Sequence, residues 1–154
     1  MGNEILELLN DEASVKILVT VDEHGLPHPA VKSSLRYCGG EVIYLEYLES
    51  SRTNRGMTRS LWYEKDVVIL LARPGEKSFV IVAHPVRALV CGKEFQRYYE
   101  EVQRERGDFD LAAVWIMKPL AVTDQSLDVR VAEETARHPH FMHLDRLAKY
   151  KETP

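Results

Sequence analysis

Three strand-like segments follow one another through short turns near the N-terminus, and they constrain the fold more than any other feature. Apolar and polar residues alternate over residues 15–21, as expected of a half-buried strand. A turn signal at 22–25 leads into a second alternating segment at 28–37, and a Cys-Gly-Gly turn leads into a third at 41–47. Because such short turns join antiparallel neighbours, we predict an antiparallel meander.

The rest of the chain adds further strands and several helices. The run at 66–72 is apolar without alternation, which is typical of a strand buried on both faces. Pro85 should bend a long strand at 78–90, and Pro119 should kink a last strand between 110–117 and 120–123. We therefore predict an α+β fold, a barrel or curled sheet of six or seven mainly antiparallel strands with flanking helices. The helices are expected at 3–10, from a Ser50-Ser51 cap to about Trp62, at 93–106, and from near Pro139.

Composition favours one soluble cytoplasmic domain, residues 1–154. This length suits a single domain, and 45% hydrophobic residues supply a core without a metal or disulfide. The longest apolar run, 67–72, is far shorter than the roughly 20 residues that cross a bilayer, and the acidic N-terminus does not resemble a secretory signal. A net charge of −4 argues against nucleic-acid binding. Cys38 and Cys91 are expected to be reduced and buried as small hydrophobic residues.

The predicted strand at 28–37 carries different chemistry on its two faces. Because successive side chains of a strand point in opposite directions, one face is mostly apolar and the other cationic. The first holds Val31, Ser33, Leu35 and Tyr37, and the second holds Lys32, Ser34 and Arg36. The cationic face either meets solvent or faces an anionic ligand.

A second cationic feature opens the helix that follows the third strand. Ser51 and Arg52 lie at its start, and Arg52, Arg55 and Arg59 share one helical face at spacings of three and four. A helix N-terminus presents unpaired N–H groups and a partial positive charge, and arginine binds phosphate through two hydrogen bonds. The pattern therefore favours a phosphate site. The alternative is a helix cap with solvent-exposed arginines that pair with Glu46, Glu49 and Glu64.

The order of these segments resembles a known family. The hairpin VKILVTVDEHGLPH at 15–28 is similar to the first hairpin of the FMN-binding split-barrel superfamily, the pyridoxamine 5′-phosphate oxidase-like proteins. A strand, Gly39-Gly40, another strand and a Ser-Arg helix start then follow in the order of that family. The resemblance is good over residues 14–72 and looser to 123.

This resemblance implies an FMN cofactor bound at the interface of a homodimer, and a small-molecule redox substrate. By the same resemblance, the phosphate is held by the second strand and the helix start, and the flavin ring lies against the third strand. The implied cofactor-binding residues are Lys32, Ser33, Ser34, Arg36, Leu45, Glu46, Ser51, Arg52, Thr53 and Arg55. We further expect Trp115, Met117 and the strand around Ile81 to form the partner's wall beside the ring.

The chain departs from the family pattern at two points. Thr53 stands where a lysine is common, so Arg55 would have to supply that charge. The Arg-Leu-x-Pro ending of pyridoxamine phosphate oxidases is not present, and the chain ends Lys151-Glu152-Thr153-Pro154. An oxidase of vitamin B6 is therefore disfavoured, and no catalytic residue is identified.

Other functions stay open at this point. The protein could be a flavin carrier without a substrate, or a split barrel that holds haem or a deazaflavin. His84, before Pro85, could be a haem ligand or a proton donor. A metal site is a weaker alternative, since its candidate ligands match no known ligand spacing; they are His138, His140, His143 and Asp145. No Gly-rich phosphate loop or G-x-S-x-G elbow is present, which argues against nucleotide hydrolases and α/β-hydrolases.

Overall fold

The fold is described from a computed structural model, which describes residues 2–75 and 77–138. The helix expected from near Pro139 lies outside the described residues. So do His140, His143 and Asp145 of the metal alternative. In chain order the elements are α1 Asn3–Asn10, β1 Val15–Val21, β2 Pro27–Val31, β3 Arg36–Cys38, β4 Glu41–Glu46, α2 Arg52–Trp62, β5 Val67–Arg73, β6 Lys77–Leu89, α3 Gly92–Arg106, β7 Ala113–Asp124 and α4 Leu127–Arg137.

The seven strands form one antiparallel sheet in the order β2-β1-β5-β6-β7-β4-β3. The predicted α+β class and antiparallel pairing are confirmed. The β1–β2 hairpin pairs Val21 with Pro27, and the β3–β4 hairpin turns through Gly39 and Gly40, both at positive φ. Positive φ is a conformation that glycine adopts at low cost.

The predicted strand at 28–37 is the main correction to the fold. It is two strands, β2 and β3, which pair with β1 and β4 at opposite ends of the strand order. The five residue steps from Val31 to Arg36 extend at most about 18 Å. The two edge strands must therefore lie close together, and this short connection curls the sheet into a barrel with a split between its edges.

Pro85 produces the expected irregularity in β6. The register between β6 and β7 shifts between Val82 and Ala83, and again between Pro85 and Arg87. Proline has no N–H to donate to the ladder, so a bulge is where a strand accommodates it. The kink expected at Pro119 is present as a bulge in β7. Val82 pairs with Ala121 and Ala83 pairs with Pro119, so the first of the two shifts leaves Leu120 as the extra residue.

The main core fills the inside of the curled sheet. Inward residues of the strands pack there with Ile5, Leu8 and Leu9 of α1 and with Met57 of α2. A second, smaller core lies under α3, where Val102 packs with Leu45 and Val114. The outer faces of β4 and β7 are thus covered by α3. Within the described residues, no helix is long and apolar enough to span a membrane.

Two expectations about individual residues are wrong. Cys38 and Cys91 are exposed and reduced, because they lie where β3 ends and where α3 begins. Trp115 and Met117 are at most 2% exposed inside the chain's own core, so these two side chains do not form a wall for a partner subunit. Ile81 is equally buried, but its neighbours in the same strand, Val80 and Val82, are only partly buried.

Candidate functional site

The start of α2 is fixed by a side-chain cap. Ser51 has an extended backbone, and its hydroxyl accepts a hydrogen bond from the amide of Asn54 at 2.9 Å. Asn54 accepts a hydrogen bond from Trp115 Nε1 at 2.8 Å, which ties the first turn of α2 to β7 in the core. Thr53 is buried, whereas Arg52 and Arg55 are exposed. The first turn therefore presents its arginines, and not Thr53, to ligands.

The arginines of α2 line a cleft opposite the β1–β2 turn. Arg52, Arg55, Gly56 and Arg59 form one wall, and residues 22–24 form the other, around a volume of about 340 Å³. The predicted stripe of three arginines is confirmed as one exposed face. None of the three pairs with Glu46, Glu49 or Glu64 in the part of the chain that the structure describes. The cation-rich cleft is thus a pocket between two elements rather than a flat helix surface.

Asp22 closes one end of this cleft. Its carboxylate accepts hydrogen bonds from the amides of His24 and Leu26 at 2.9 Å, and its second oxygen lies 3.4 Å from the guanidinium of Arg52. The amide of Leu26, then that of His24 and the charges of His24 and Arg52, hold the pKa of Asp22 below its usual value. Asp22 is therefore an anion that pairs with Arg52 across the cleft.

A buried ion pair joins the β2–β3 connection to the end of β4. Lys32 Nζ is 2.7 Å from Glu46 Oε2, and the two side chains are 15% and 3% exposed. The other carboxylate oxygen accepts a hydrogen bond from the amide of Leu48. The hydroxyl of Tyr44 donates to Glu46 at 3.4 Å, and burial raises the pKa of Tyr44 far above its usual value. The charge of Lys32 is thus neutralised within the protein.

The remaining predicted site residues lie at the split of the barrel, in a different cavity of about 600 Å³. Ser33, Ser34, Arg36 and Leu45 line this cavity. The hydroxyl of Ser34 accepts a hydrogen bond from the amide of Leu45 and donates one to the carbonyl of Leu45. These two hydrogen bonds join the β2–β3 connection to β4. Arg36 pairs with Glu101 of α3 at 2.6 Å. Arg52 and Arg55 thus line the cleft beside α2, whereas Ser33, Ser34 and Arg36 line the cavity at the split of the barrel.

Lys16 at this split was missed by sequence reasoning. Its side chain points inward from β1 and is 3% exposed, and its ammonium donates to the carbonyls of Leu35 at 2.9 Å and Ser33 at 3.4 Å. The alternation of β1 gives no signal for this, because Lys16 lies on the face opposite Val15, Ile17 and Val19, which the pattern assigns to the core. The ammonium of Lys16 thus binds the β2–β3 connection to β1.

Burial of Lys16 predicts a pH effect on stability. Desolvation lowers the pKa of Lys16 from its ordinary value of 10.5, against smaller opposing contributions from Asp11 and Glu12. Between the lowered folded pKa and 10.5 the unfolded chain binds more protons at this residue, so its contribution to the free energy of unfolding rises with pH. Urea titrations across that alkaline range should show a steeper rise in wild type than in Lys16→Met. Identical pH dependence in both proteins would contradict this assignment.

His84 has a partner that bears on its proposed roles. Its Nδ1 lies 2.8 Å from a carboxylate oxygen of Asp66, at the start of β5. This pair engages one ring nitrogen and fixes the orientation of the ring. Within residues 2–75 and 77–138, no group of three His, Cys, Asp or Glu side chains is placed to hold a metal ion.

Comparison with known proteins identifies the fold. No protein-family model matches the sequence, and no curated protein sequence matches it. Among solved structures, HupZ of Group A Streptococcus superposes with a TM-score of 0.65 at 19% identity, over 82% of this chain and 95% of that one. An FMN-binding protein from Syntrophomonas wolfei gives 0.61 at 19%, over 79% and 84%. A candidate pyridoxamine 5′-phosphate oxidase from Lactobacillus delbrueckii gives 0.61 at 20%, over 80% and 93%.

These likenesses confirm the split-barrel fold that the sequence resemblance implied. The chain has the fold of FMN-binding and pyridoxamine 5′-phosphate oxidase-like structures. At these identities the likeness establishes the fold and leaves ligand and activity to the residues themselves.

Proposed function

We propose that this protein binds FMN and acts in the cytoplasm as a flavin-dependent oxidoreductase on a small molecule other than pyridoxamine phosphate. The observation that carries the proposal is the exposed Arg52 at the N-terminus of α2, directly after the Ser51 cap. Helix N–H groups, the helix dipole and a guanidinium all favour a phosphate at that point. The fold shared with an FMN-binding protein supports a flavin as the group that carries this phosphate.

The residues of the cleft fit a phosphate monoester. Arg52 and Arg55 provide two exposed guanidinium groups for a dianion, so Arg55 supplies the charge that Thr53 lacks. Lys32 contributes less, because Glu46 already holds its ammonium. When bound, FMN supplies hydride-transfer chemistry. The chain's own residues then hold the phosphate and position the ring.

Replacing Arg52 by alanine should weaken FMN binding by about ten- to a hundred-fold. One charge-assisted hydrogen bond to a phosphate is worth roughly 1.5–3 kcal/mol, and 1.4 kcal/mol is one decade in Kd. Riboflavin lacks the phosphate, so wild type and Arg52→Ala should bind it almost equally. The measurement is a fluorescence titration of both proteins with both flavins.

Arg59→Ala is the matched control for this titration. Arg59 lies on the same face two turns further along α2, beyond the reach of the helix N-terminus, so its loss should leave the FMN Kd within about two-fold. If Arg52→Ala binds FMN as tightly as wild type, the phosphate assignment is wrong. The visible spectrum of the purified protein separates the other ligands: flavin bands agree with the proposal, whereas a Soret band would replace FMN by haem.

We further propose that the protein is a homodimer that buries the outer face of β1, β5 and β6. Paired residues of neighbouring strands point to the same side of a sheet. On the outer side they form two apolar rows that are only partly buried and that no described helix covers. The rows are Val31, Ile17, Leu70 and Val80, and Pro29, Val19, Val68, Val82 and Ala121. A contiguous apolar surface of this kind is typical of a subunit interface, and the self-association of two such faces would shield both.

Light scattering tests the dimer. At tens of micromolar, wild type should have twice the 17.7 kDa mass of the chain. Val82→Asp places a charge in the middle of the apolar rows and should give a folded monomer, because burying an unpaired carboxylate is costly. Leu26→Asp, at an exposed position of the β1–β2 turn, should remain dimeric. A monomeric wild type would contradict the proposal.

A further inference from the structure

The cleft beside α2 continues into a second and larger compartment. This compartment has a volume of about 680 Å³, and the last turn of α2 and the residues after it form one side. The β1–β2 turn forms the opposite side. Arg59 and residues 22–24 line both compartments, so the two are continuous.

The spacing of the arginines separates two anion sites along this cleft. Arg52 and Arg59 are seven residues apart, which is about 10.5 Å along the helix axis at 1.5 Å per residue. A phosphate held at the N-terminus of α2 therefore leaves Arg59 available. Arg59 instead stacks on the ring of Tyr63, with its guanidinium 5.1 Å from the ring centre. The stack holds a cation and an aromatic ring together at the junction of the compartments.

Two cations without an ion pair line the second compartment. They are Arg59 and Lys65, and within the described residues neither is paired with a carboxylate. Three acidic side chains also line it. Asp22 binds the amides of its own turn and Arg52, Asp66 binds His84 at 2.8 Å, and Glu23 lies 4.0 Å from His24. Arg59 and Lys65 are therefore the groups with which an anionic ligand would pair at this end of the cleft.

The same compartment also exposes apolar and aromatic surface. Tyr63 is 61% exposed and Val21 is 46% exposed, on opposite sides of the cleft. A planar ring can stack on tyrosine and on a guanidinium, and each such contact stabilises binding. A phosphate on the same molecule can accept hydrogen bonds from Arg59 and Lys65. The lining therefore matches an aromatic base that carries a phosphate.

We propose that this second compartment binds a nucleotide, and that the nucleotide is the small-molecule partner of the flavin. Binding rests on the residues of the compartment alone. The role as partner of the flavin rests on the proposed function. Because the two compartments share Arg59, a nucleotide seated there lies next to the site proposed for the FMN phosphate.

Calorimetric titration with AMP, adenosine and inorganic phosphate tests the proposal on the full chain with FMN present. AMP should bind, and adenosine and phosphate, which each carry half of the recognised chemistry, should bind at least about tenfold more weakly. Arg59→Ala should weaken AMP binding by about tenfold or more. Arg97→Ala, which removes an exposed arginine of α3, should leave AMP binding unchanged.

The two proposals fail in different ways. No AMP binding, or equal AMP binding by wild type and Arg59→Ala, would overturn the nucleotide site. Competition between AMP and FMN would also overturn it, because the two would then share one site. If AMP binds through Arg59 while FMN does not bind, the nucleotide site stands and the proposed flavin function fails.

Discussion

Gly56→Ala should lower the free energy of unfolding by about 2 kcal/mol. A Cβ atom at Gly56 would overlap Thr20 Oγ1 and lie 2.7 Å from Thr20 Cβ, so α2 would have to move away from β1. Alanine gains about 1 kcal/mol of helix propensity over glycine. Overpacking of a tight contact costs up to about 3 kcal/mol and occasionally more, and Thr20 is a stiff β-branched residue that is 1% exposed. The clash should therefore outweigh the propensity.

Urea unfolding checks this expectation through a lower midpoint at unchanged slope. Thr20→Ala removes the obstructing atoms, so the double variant Thr20→Ala, Gly56→Ala should recover most of the loss. Thr20→Ala alone should cost little, because its buried hydroxyl has no hydrogen-bond partner among the described residues. A Gly56→Ala protein as stable as wild type would show that α2 can shift freely, which would also weaken the fixed geometry of the arginine-lined cleft.

The parts of the fold that sequence reasoning predicted are those with local signals. The β1–β2 turn, the irregularity at Pro85 and the Ser51 cap each depend on neighbouring residues. The break between β2 and β3 has a weaker signal, the adjacent polar residues Ser33 and Ser34, which lie in the turn between the two strands. Alternation read across residues 28–37 passes over this interruption. It also does not indicate that the first half pairs with β1 and the second with β4.

Burial was predicted less well for a related reason. Alternation indicates which residues share a face, but the face that meets the core depends on what packs against it. Trp115 and Met117 therefore lie in the barrel core rather than at a partner's surface. Cys38 and Cys91 are exposed because each lies where an element ends, beside a glycine.

The candidate site shows the same difference between residues placed by local spacing and residues placed by long-range packing. Arg52, Arg55 and Arg59 were predicted to share a face because helical spacing is local, and they do. The pairing of Lys32 with Glu46 joins residues 14 apart in sequence, one in the β2–β3 connection and one at the end of β4. That pair could be recognised only once β2, its connection and β4 had been brought together by the curl of the sheet.

Lys32→Met should destabilise the protein by about 3–5 kcal/mol, the cost of leaving one member of a buried ion pair uncompensated. Glu46→Gln should cost less. Glu46 is 3% exposed and cannot regain water when Lys32 is lost, whereas Lys32 keeps 15% exposure. The carbonyl oxygen of glutamine can still accept from the amide of Leu48, and its NH2 group can donate to the hydroxyl of Tyr44. The double variant should be more stable than Lys32→Met alone, since no buried charge remains. Urea midpoints of the four proteins measure this order, and equal losses in both single variants would contradict it.

The same four proteins decide whether Lys32 also holds the cofactor phosphate. The comparison uses the ratio of FMN affinity to riboflavin affinity. This ratio measures the contribution of the phosphate, because general damage to the site weakens the binding of both flavins alike. If Glu46 fully engages Lys32, Lys32→Met should leave this ratio within about two-fold of wild type, unlike Arg52→Ala. Glu46→Gln frees the ammonium of Lys32, so it should raise the ratio or leave it unchanged. A fall of this ratio by tenfold or more in Lys32→Met would instead mean that Lys32 leaves Glu46 and binds the phosphate when FMN binds. The buried ion pair would then supply a positive charge to the cofactor site.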